Sequence, residues 1–222
     1  MLKVNEIFYS IQGESSFAGY PCIFIRLTGC NLRCSYCDTR YAYDEGKEMS
    51  IDSIINTVKE YNCNRVEITG GEPMLQEETA DLSRKLLDQN YRVWIETNGT
   101  KNIDVLPDGV IRIMDVKCAG SCENDKMDWE NLNRLNSRDE VKFVLTSRED
   151  YNEAKQVIQK YNLIEQIEVL LSPADGQLQS SDLAGWILND CLDVRLQPQL
   201  HKIIWPEETR GSFKAPIWPA GY

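Results

Sequence analysis

Long apolar runs and histidine are what this sequence most clearly lacks. None of its 222 residues falls in an apolar run of about 18, the length that a membrane-spanning helix needs. The chain has 1 histidine, and no second pair of cysteines or histidines follows its cysteine cluster at zinc-finger spacing. No internal repeat or low-complexity segment is visible. We therefore expect no membrane-spanning helix and no repeat architecture.

Positive charge is also scarce. The 24 Lys and Arg residues are outnumbered by 35 Asp and Glu, which gives a formal net charge of −11. Such a surface repels phosphate backbones, so we expect no nucleic-acid partner. The first six residues lack the charged-then-apolar layout of a secretion signal. Eight cysteines without that signal suit metal binding in a reducing compartment, so we expect a cytoplasmic protein with no membrane partner.

Strand and helix patterns alternate along the chain, which is typical of parallel crossover units. About six or seven of the predicted strands belong to these units, fewer than the eight of a full barrel. We therefore predict an α/β fold, a partial (β/α) TIM-like barrel of about six parallel strands. It would form one domain over residues 1–222, with an extended tail from about 203 to 222. Ser50 and Ser147 should begin helices as N-caps, and further helices should cover 76–90 and 180–191. Strands are expected at 3–10, 21–28, 65–69, 91–96, 110–116, 140–146, 166–171 and 193–197.

The loop after the second strand carries Cys30, Cys34 and Cys37 in the spacing C-x3-C-x2-C. Three thiolates on one loop can hold three irons of a [4Fe–4S] cluster and leave the fourth iron open to a ligand. A zinc site would need a fourth ligand. A disulfide within this loop would be tight and would leave one thiol over. The cluster is therefore favoured, and its position beyond a strand's carboxyl end is where ligands bind in α/β barrels.

Arg26 is the charged member of an otherwise apolar strand, 21–28. A buried guanidinium needs a partner, so either a ligand acid or a structural ion pair should face it.

Gly70-Gly71-Glu72-Pro73 ends the third predicted strand, and its two glycines permit a close backbone approach to a ligand or only a turn.

These motifs resemble the radical S-adenosylmethionine (SAM) enzymes, and more narrowly the 7-carboxy-7-deazaguanine synthase family. The similarity spans residues 6 to 202, and the cysteine spacing by itself indicates only the superfamily. The segments that carry it are EIFYSIQGE at 6–14, AGYP at 18–21, FIRL at 24–27, the cysteine loop at 29–39, TGGEP at 69–73, ETNGT at 96–100, DVK at 115–117 and QPQLHK at 197–202.

The resemblance implies a reaction and its cofactors. The family converts 6-carboxy-5,6,7,8-tetrahydropterin to 7-carboxy-7-deazaguanine with loss of ammonia, in queuosine and 7-deazapurine biosynthesis. It uses a [4Fe–4S] cluster, SAM as a regenerated radical source, Mg²⁺ and an electron from a flavodoxin-like donor. It is also dimeric, although no heptad or apolar stripe in this sequence indicates an interface. A homodimer is therefore an expectation from the resemblance alone.

The resemblance also assigns residues. Cys30, Cys34 and Cys37 would bind the cluster, and Thr39 would bind Mg²⁺, unless its hydroxyl caps a turn. Arg26 would pair with the substrate carboxylate. The remaining substrate-binding residues would be Ile11, Gln12, Gly13, Glu14, Thr69 and His201, with Gln12 and Glu14 reading the edge of the pterin ring. SAM would contact Tyr36, Cys37, Asp38, Gly71, Glu72, Glu96, Asp115, Lys117 and Ser172.

Some readings stay open. A lone histidine is more often a packed or surface residue than a catalyst, and Glu96 could equally make a structural turn contact. Tyr36 stands where many family members carry Trp. Cys118 and Cys122 form a second C-x3-C pair, which offers too few ligands for another cluster. The competing hypotheses are another radical SAM enzyme, such as a glycyl-radical activase, and a non-enzymatic zinc or iron–sulfur module.

Overall fold

Within residues 1–205, which the computed structural model describes, the chain forms nine strands and six α-helices. The strands are β1 (Leu2–Ile11), β2 (Pro21–Leu27), β3 (Lys47–Met49), β4 (Arg65–Gly70), β5 (Arg92–Thr97), β6 (Ile111–Val116), β7 (Glu140–Leu145), β8 (Glu168–Pro173) and β9 (Arg195–Leu196). The helices are α1 (Ile51–Lys59), α2 (Thr79–Asp88), α3 (Asn131–Arg134), α4 (Arg148–Lys160), α5 (Ser180–Asn189) and α6 (Leu200–Ile204). No helix in this range is long and apolar enough to cross a membrane.

All nine strands belong to one sheet, in the order β3-β1-β2-β4-β5-β6-β7-β8-β9. From β2 to β9 each strand pairs in parallel with its neighbour, and β1 and β3 add an antiparallel edge. Seven strands are therefore parallel, against about six predicted. The predicted α/β fold of the partial-barrel type is confirmed.

The predicted helix starts are also confirmed. The Ser50 hydroxyl accepts a hydrogen bond from the backbone N–H of Ser53 at 3.1 Å, and α1 follows. The Ser147 hydroxyl accepts one from Asp150 N–H at 3.3 Å, and α4 follows. Each cap satisfies one of the N–H groups that a helix leaves unpaired at its start.

The two faces of the sheet differ in chemistry because side chains alternate along a strand. One set of positions packs against the helices, as Ile68 on β4 packs with α1 and α2 and Phe143 on β7 packs with α4 and α5. The alternate positions point into the barrel and are polar: Glu67 and Thr69 on β4, Glu96 on β5, Asp115 on β6 and Lys142 on β7. The barrel interior is thus a polar cavity with apolar walls behind it.

The structure corrects the predicted element bounds in several places. The strand β3 and the helices α3 and α6 were not predicted, and the strand predicted at 193–197 is shortened to Arg195–Leu196. The helix predicted at 76–90 begins at Thr79, after a 3-10 turn at Pro73–Leu75. Residues 203 and 204 of the predicted tail complete α6, and the tail from 206 to 222 lies outside the described residues.

Candidate active site

The cysteine loop leaves the carboxyl end of β2 and folds over the mouth of the barrel. The Gly29 N–H donates to Ala42 O at 2.9 Å, and the buried Leu32 anchors the loop's centre. Cys30, Cys34 and Cys37 are free thiols of intermediate exposure, and all line one cavity of about 680 Å³. The loop therefore brings its thiols to the rim of the same cavity, as the spacing predicts.

The arrangement of these thiols bears on which metal they fit. Among residues 1–205 no three Cys, His, Asp or Glu side chains come together as a group that could hold one metal ion. Zinc would need such a group, since its ligands all bind one atom at about 2.3 Å from sulfur. In a [4Fe–4S] cluster each thiolate binds a different iron, so the sulfurs lie further apart. Three thiols on one loop are the donor set that a [4Fe–4S] cluster with one open iron takes.

The Gly70-Gly71 segment at the end of β4 packs directly against the cysteine loop. The Glu72 N–H donates to Gly29 O at 2.7 Å, and Gly71 N–H donates to Leu27 O at 3.2 Å. A Cβ at Gly71 would overlap the Gly29 carbonyl and lie 2.8 Å from the Cβ of Cys30. Only glycine fits at this position, and its backbone faces the cavity beside the thiols.

The Glu72 side chain turns away from this cavity. Its carboxylate accepts hydrogen bonds from Asn98 N–H at 2.6 Å, the Thr97 hydroxyl at 2.8 Å and Met74 N–H at 2.9 Å. Burial raises the pKa of Glu72 to about 7, although these hydrogen bonds oppose the rise. The carboxylate thus braces β4 against β5, and the contact of Glu72 with SAM stays a prediction.

Lys117 and Asp115 form an ion pair on the wall next to the thiols. Their Nζ and Oδ2 atoms are 2.7 Å apart, and Lys117 Nζ lies 5.6 Å from the centre of the Tyr36 ring. The other carboxylate oxygen of Asp115 and the Tyr36 hydroxyl are buried without a hydrogen-bond partner in residues 1–205. Buried polar atoms are nearly always paired, so these two mark a place that a polar ligand would complete.

The loop after β1 forms the opposite wall. Gln12 is buried, its amide N–H₂ donates to the Glu67 carboxyl, and its Oε1 accepts from Glu14 N–H at 3.1 Å. Gly13 lies against His201, whose imidazole would overlap a Cβ at that position. The Leu200 N–H donates to Gly13 O at 2.9 Å, which joins the start of α6 to this loop. His201 is therefore part of the cavity wall and not a distant surface residue.

Arg26 lines the cavity from β2. Its Nε is 2.9 Å from Glu6 Oε1, and its guanidinium lies over the rings of Phe8 and Tyr41 at 5.6 and 5.7 Å. The structural ion pair that the sequence left as an alternative is thus present. The guanidinium has five N–H donors, and one pair with Glu6 leaves others for a ligand.

Asp38 and Thr39 follow the last cysteine. The Thr39 hydroxyl donates to Asp38 Oδ1 at 2.9 Å and makes no capping hydrogen bond to the 3-10 turn that follows it. Lys202 Nζ is 3.0 Å from Asp38 Oδ2. Burial would raise the pKa of Asp38, but Lys202 outweighs burial and lowers that pKa to about 2. This corner of the cavity holds a permanent carboxylate next to a hydroxyl.

Apart from Glu72 and Ser172, every predicted site residue lines this one cavity. Ser172 is buried on β8 and is not part of the cavity lining, and its contact with SAM stays a prediction. Cys118 is buried, Cys122 is exposed, and neither lines the cavity. Residues that the sequence reasoning missed also line it: Glu67, Asn98, Lys142, Gln199 and Lys202.

Two of the charged residues that were not predicted, Glu67 and Lys142, do have a signal in the sequence. Glu67 and Lys142 each interrupt an apolar strand, as Arg26 does, and a charged residue among β-branched and aromatic neighbours is rarely buried without a purpose. In the structure both are about 4% exposed. Glu67 and Lys142 are therefore recognisable in the sequence by the same pattern as Arg26.

Comparison with known proteins places the fold and site in a class. A family model for the radical SAM superfamily matches residues 24–115. The crystal structure of QueE from Escherichia coli superposes with a TM-score of 0.73 at 23% identity, covering 90% of this chain and 94% of that one. The matched segment therefore resembles the radical SAM superfamily, the class that carries a [4Fe–4S] cluster and SAM, and the likeness to the solved structure shows the fold.

Curated relatives narrow the class to one family. A 7-carboxy-7-deazaguanine synthase of Koribacter versatilis is 43% identical over 95% of this chain and the whole of the relative. One from Chlorobaculum tepidum is also 43% identical, over 95% of this chain and 97% of the relative. The chain belongs to the 7-carboxy-7-deazaguanine synthase family. The resemblance read from the sequence motifs is confirmed.

Proposed function

We propose that this enzyme converts 6-carboxy-5,6,7,8-tetrahydropterin to 7-carboxy-7-deazaguanine and ammonia, in queuosine or 7-deazapurine biosynthesis. The relatives' names support the product. The observation that carries the proposal is that thiols for a cluster and groups suited to a carboxylated pterin line the same cavity. Hydrogen abstraction by a short-lived radical needs its source and its target side by side in a site closed to water.

The rim of the cavity suits the cofactors. Cys30, Cys34 and Cys37 would hold the cluster, and the backbone of Gly71 beside them would receive the amino group of SAM. Lys117 is suited to the carboxylate of SAM, and the unpaired oxygen of Asp115 and the Tyr36 hydroxyl to its polar groups. When bound, the cluster and SAM together supply the radical that removes hydrogen from the substrate.

The barrel interior suits the pterin. Arg26 would bind the substrate carboxylate through the donors that Glu6 does not use, a charge-assisted contact. Glu14 would accept from the N–H donors of the ring. Gln12 and the close pair of Gly13 and His201 would fix the plane in which the ring lies, with Ile11, Thr69 and Glu96 on the flanking walls.

Mg²⁺ would bind at the corner formed by Thr39. A hydroxyl oxygen is a suitable ligand for this ion, which keeps several waters and takes the rest of its octahedral shell from substrate oxygens. The ionised Asp38 beside Thr39 adds negative charge there. The flavodoxin-like electron donor and the homodimer stay predictions that follow from the resemblance, and the cytoplasmic location stays a prediction that follows from the cysteine content.

An anaerobic assay tests this function. Reconstituted enzyme with Mg²⁺, SAM and a reductant should form the deazapurine from the carboxypterin, and omission of SAM should abolish it. Arg26→Gln should weaken carboxypterin binding by about tenfold or more, and should weaken much less the binding of a pterin without the carboxylate. Arg84→Gln on the exposed face of α2 is the matched control. Absence of product from enzyme that carries its cluster and binds SAM would contradict the proposal.

A further inference from the structure

Lys142 is a buried ammonium group that none of the roles above uses. It lies on β7 inside the barrel, and its side chain is 5% exposed. Its Nζ is 2.8 Å from Glu14 Oε2, forms an ion pair with Glu96, and is 3.9 Å from Asp115 Oδ2. One cation thus joins a carboxylate of the proposed pterin wall to two carboxylates on neighbouring strands.

The charge balance around Lys142 is what gives it a role. Buried carboxyl groups that lie close together cannot all stay ionised without a cation. Glu67 illustrates this, because burial and then the charges of Glu96 and Glu14 raise its pKa well above the ordinary value. Burial would likewise raise the pKa of Glu14, but Lys142 outweighs burial and lowers it. Glu14 and Glu96 both contact the ammonium directly, and Glu14 is thereby held ionised.

We infer that Lys142 is a positioning residue that holds Glu14 as a carboxylate facing the donor edge of a 2-amino-4-oxopyrimidine ring, and so sets the specificity of the cavity. This inference rests on the proposed function. A ring with an amino group at position 2 and N–H at position 3 presents two adjacent donors. A carboxylate accepts from both, whereas a protonated carboxyl offers one oxygen as acceptor and places an O–H against a donor.

The Glu14 carboxylate keeps free hydrogen-bond acceptor positions for this contact. Oε2 faces Lys142, and Oε1 accepts from the Gln199 amide at 2.8 Å. Each carboxylate oxygen can accept two hydrogen bonds, so each keeps one for a ligand. Gln12 Oε1 holds the Glu14 backbone N–H at 3.1 Å, which fixes the base of the side chain. The titratable and charged groups around the pair are Arg26, Glu67, Glu96, Asp115 and His201.

The first test uses unmodified enzyme and a pair of probes. Cluster-loaded enzyme with SAM but no reductant is titrated with 6-carboxypterin and with 6-carboxylumazine, which carries a carbonyl in place of the 2-amino group. We expect about tenfold or greater preference for the pterin, with affinity unchanged between about pH 6 and about pH 7.5. Equal binding of the two probes would overturn the inference.

Substitutions at Lys142 then distinguish the proposed positioning role from a purely structural one. Lys142→Met should lose the preference and should bind the pterin better as the pH rises, because Glu14 then titrates in that range. Lys142→Arg should restore both the preference and the flat pH profile. Lys85→Met, which removes an exposed ammonium from α2, should change neither. A Lys142→Met enzyme with the preference and pH profile of the unmodified enzyme would overturn the inference.

A further variant covers the case in which Lys142→Met does not fold. Glu14→Gln removes the carboxylate and leaves Lys142 paired with Glu96, so it should bind SAM normally and lose the preference for the pterin. Retained preference would overturn the inference. Failure of the proposed function looks different, because the unmodified enzyme would then bind SAM but neither probe.

Discussion

The carboxylate of Glu72 accepts a hydrogen bond from the backbone N–H of Asn98 at 2.6 Å, although 26 residues separate the two. The contact ties the end of β4 to the end of β5, immediately behind the glycines that meet the cysteine loop. Asn98 in turn donates from its side chain to Asn31 Oδ1 at 3.1 Å. A single buried acid therefore holds together the strand ends from which the rim of the cavity is built.

Glu72→Gln should lower the free energy of unfolding by about 1–3 kcal/mol at neutral pH. The amide would turn an N–H₂ group toward one of the donors that the carboxylate now accepts from. Urea denaturation of the cluster-free protein measures the loss. Glu77→Gln, on an exposed neighbouring residue, should be neutral. Equal stability of the two variants would show that the Glu72 contacts contribute little.

The raised pKa of Glu72 predicts a pH dependence with a definite sign. Its ordinary pKa is 4.5 and burial raises the folded value to about 7. Between these values the folded protein binds a proton at Glu72 that the unfolded chain does not bind. The contribution of this proton to the free energy of unfolding is full below pH 4.5 and is lost as the pH rises through about 7. The stability difference between the unmodified protein and Glu72→Gln should widen by about 3 kcal/mol from pH 8 to pH 4.5. A difference that does not change with pH would contradict the shift.

Local patterns predicted much of this molecule. The cysteine triad depends on spacing within eight residues, and the caps at Ser50 and Ser147 depend on contacts three residues away, so both are legible in the sequence. The strand β3 has only three residues, two of them charged, and carries no periodic signal. It exists because the edge of β1 is available for pairing.

What the sequence could not indicate is set by distant contacts. Lys142 meets Glu14 across 128 positions, and only the curvature of the sheet brings them together. The partners of the Glu72 carboxylate were not evident from the sequence for a similar reason, because its donors, Asn98 and Thr97, lie at the end of the next strand. A motif places the residue at the site, and neighbouring strands decide which way it faces.

Gly71→Ala should disturb the rim directly. The added methyl group would overlap the Gly29 carbonyl and crowd Cys30, so the cysteine loop would have to move. We expect reduced iron and sulfide content after anaerobic reconstitution, and at least about tenfold weaker SAM binding. Gly185→Ala is the control, since no atom lies within 4 Å of its added Cβ. That variant should be neutral or stabilising by about 0.5–1 kcal/mol. Full iron content and SAM affinity in Gly71→Ala would show that the two loops adjust freely.

The second cysteine pair, Cys118 and Cys122, raises the question whether the cluster draws ligands from both loops, and a comparison of two variants answers it. The loop that carries Cys118 and Cys122 packs against the cysteine loop, where Ser35 donates from its backbone to Ser121 O at 3.1 Å and from its hydroxyl to Gly120 O at 2.6 Å. Cys122 is nevertheless exposed and outside the cavity lining.

Cys34→Ser should therefore lose most of the iron and the visible absorbance of the reconstituted enzyme, because it removes one of the three thiolates proposed to hold the cluster. Cys122→Ser should keep both, since its thiol is exposed and lies outside the cavity lining. Iron analysis and the absorbance spectrum after anaerobic gel filtration give the comparison. Loss of iron from Cys122→Ser to the extent seen for Cys34→Ser would mean that the cluster draws on both loops, and that no iron stays open for SAM.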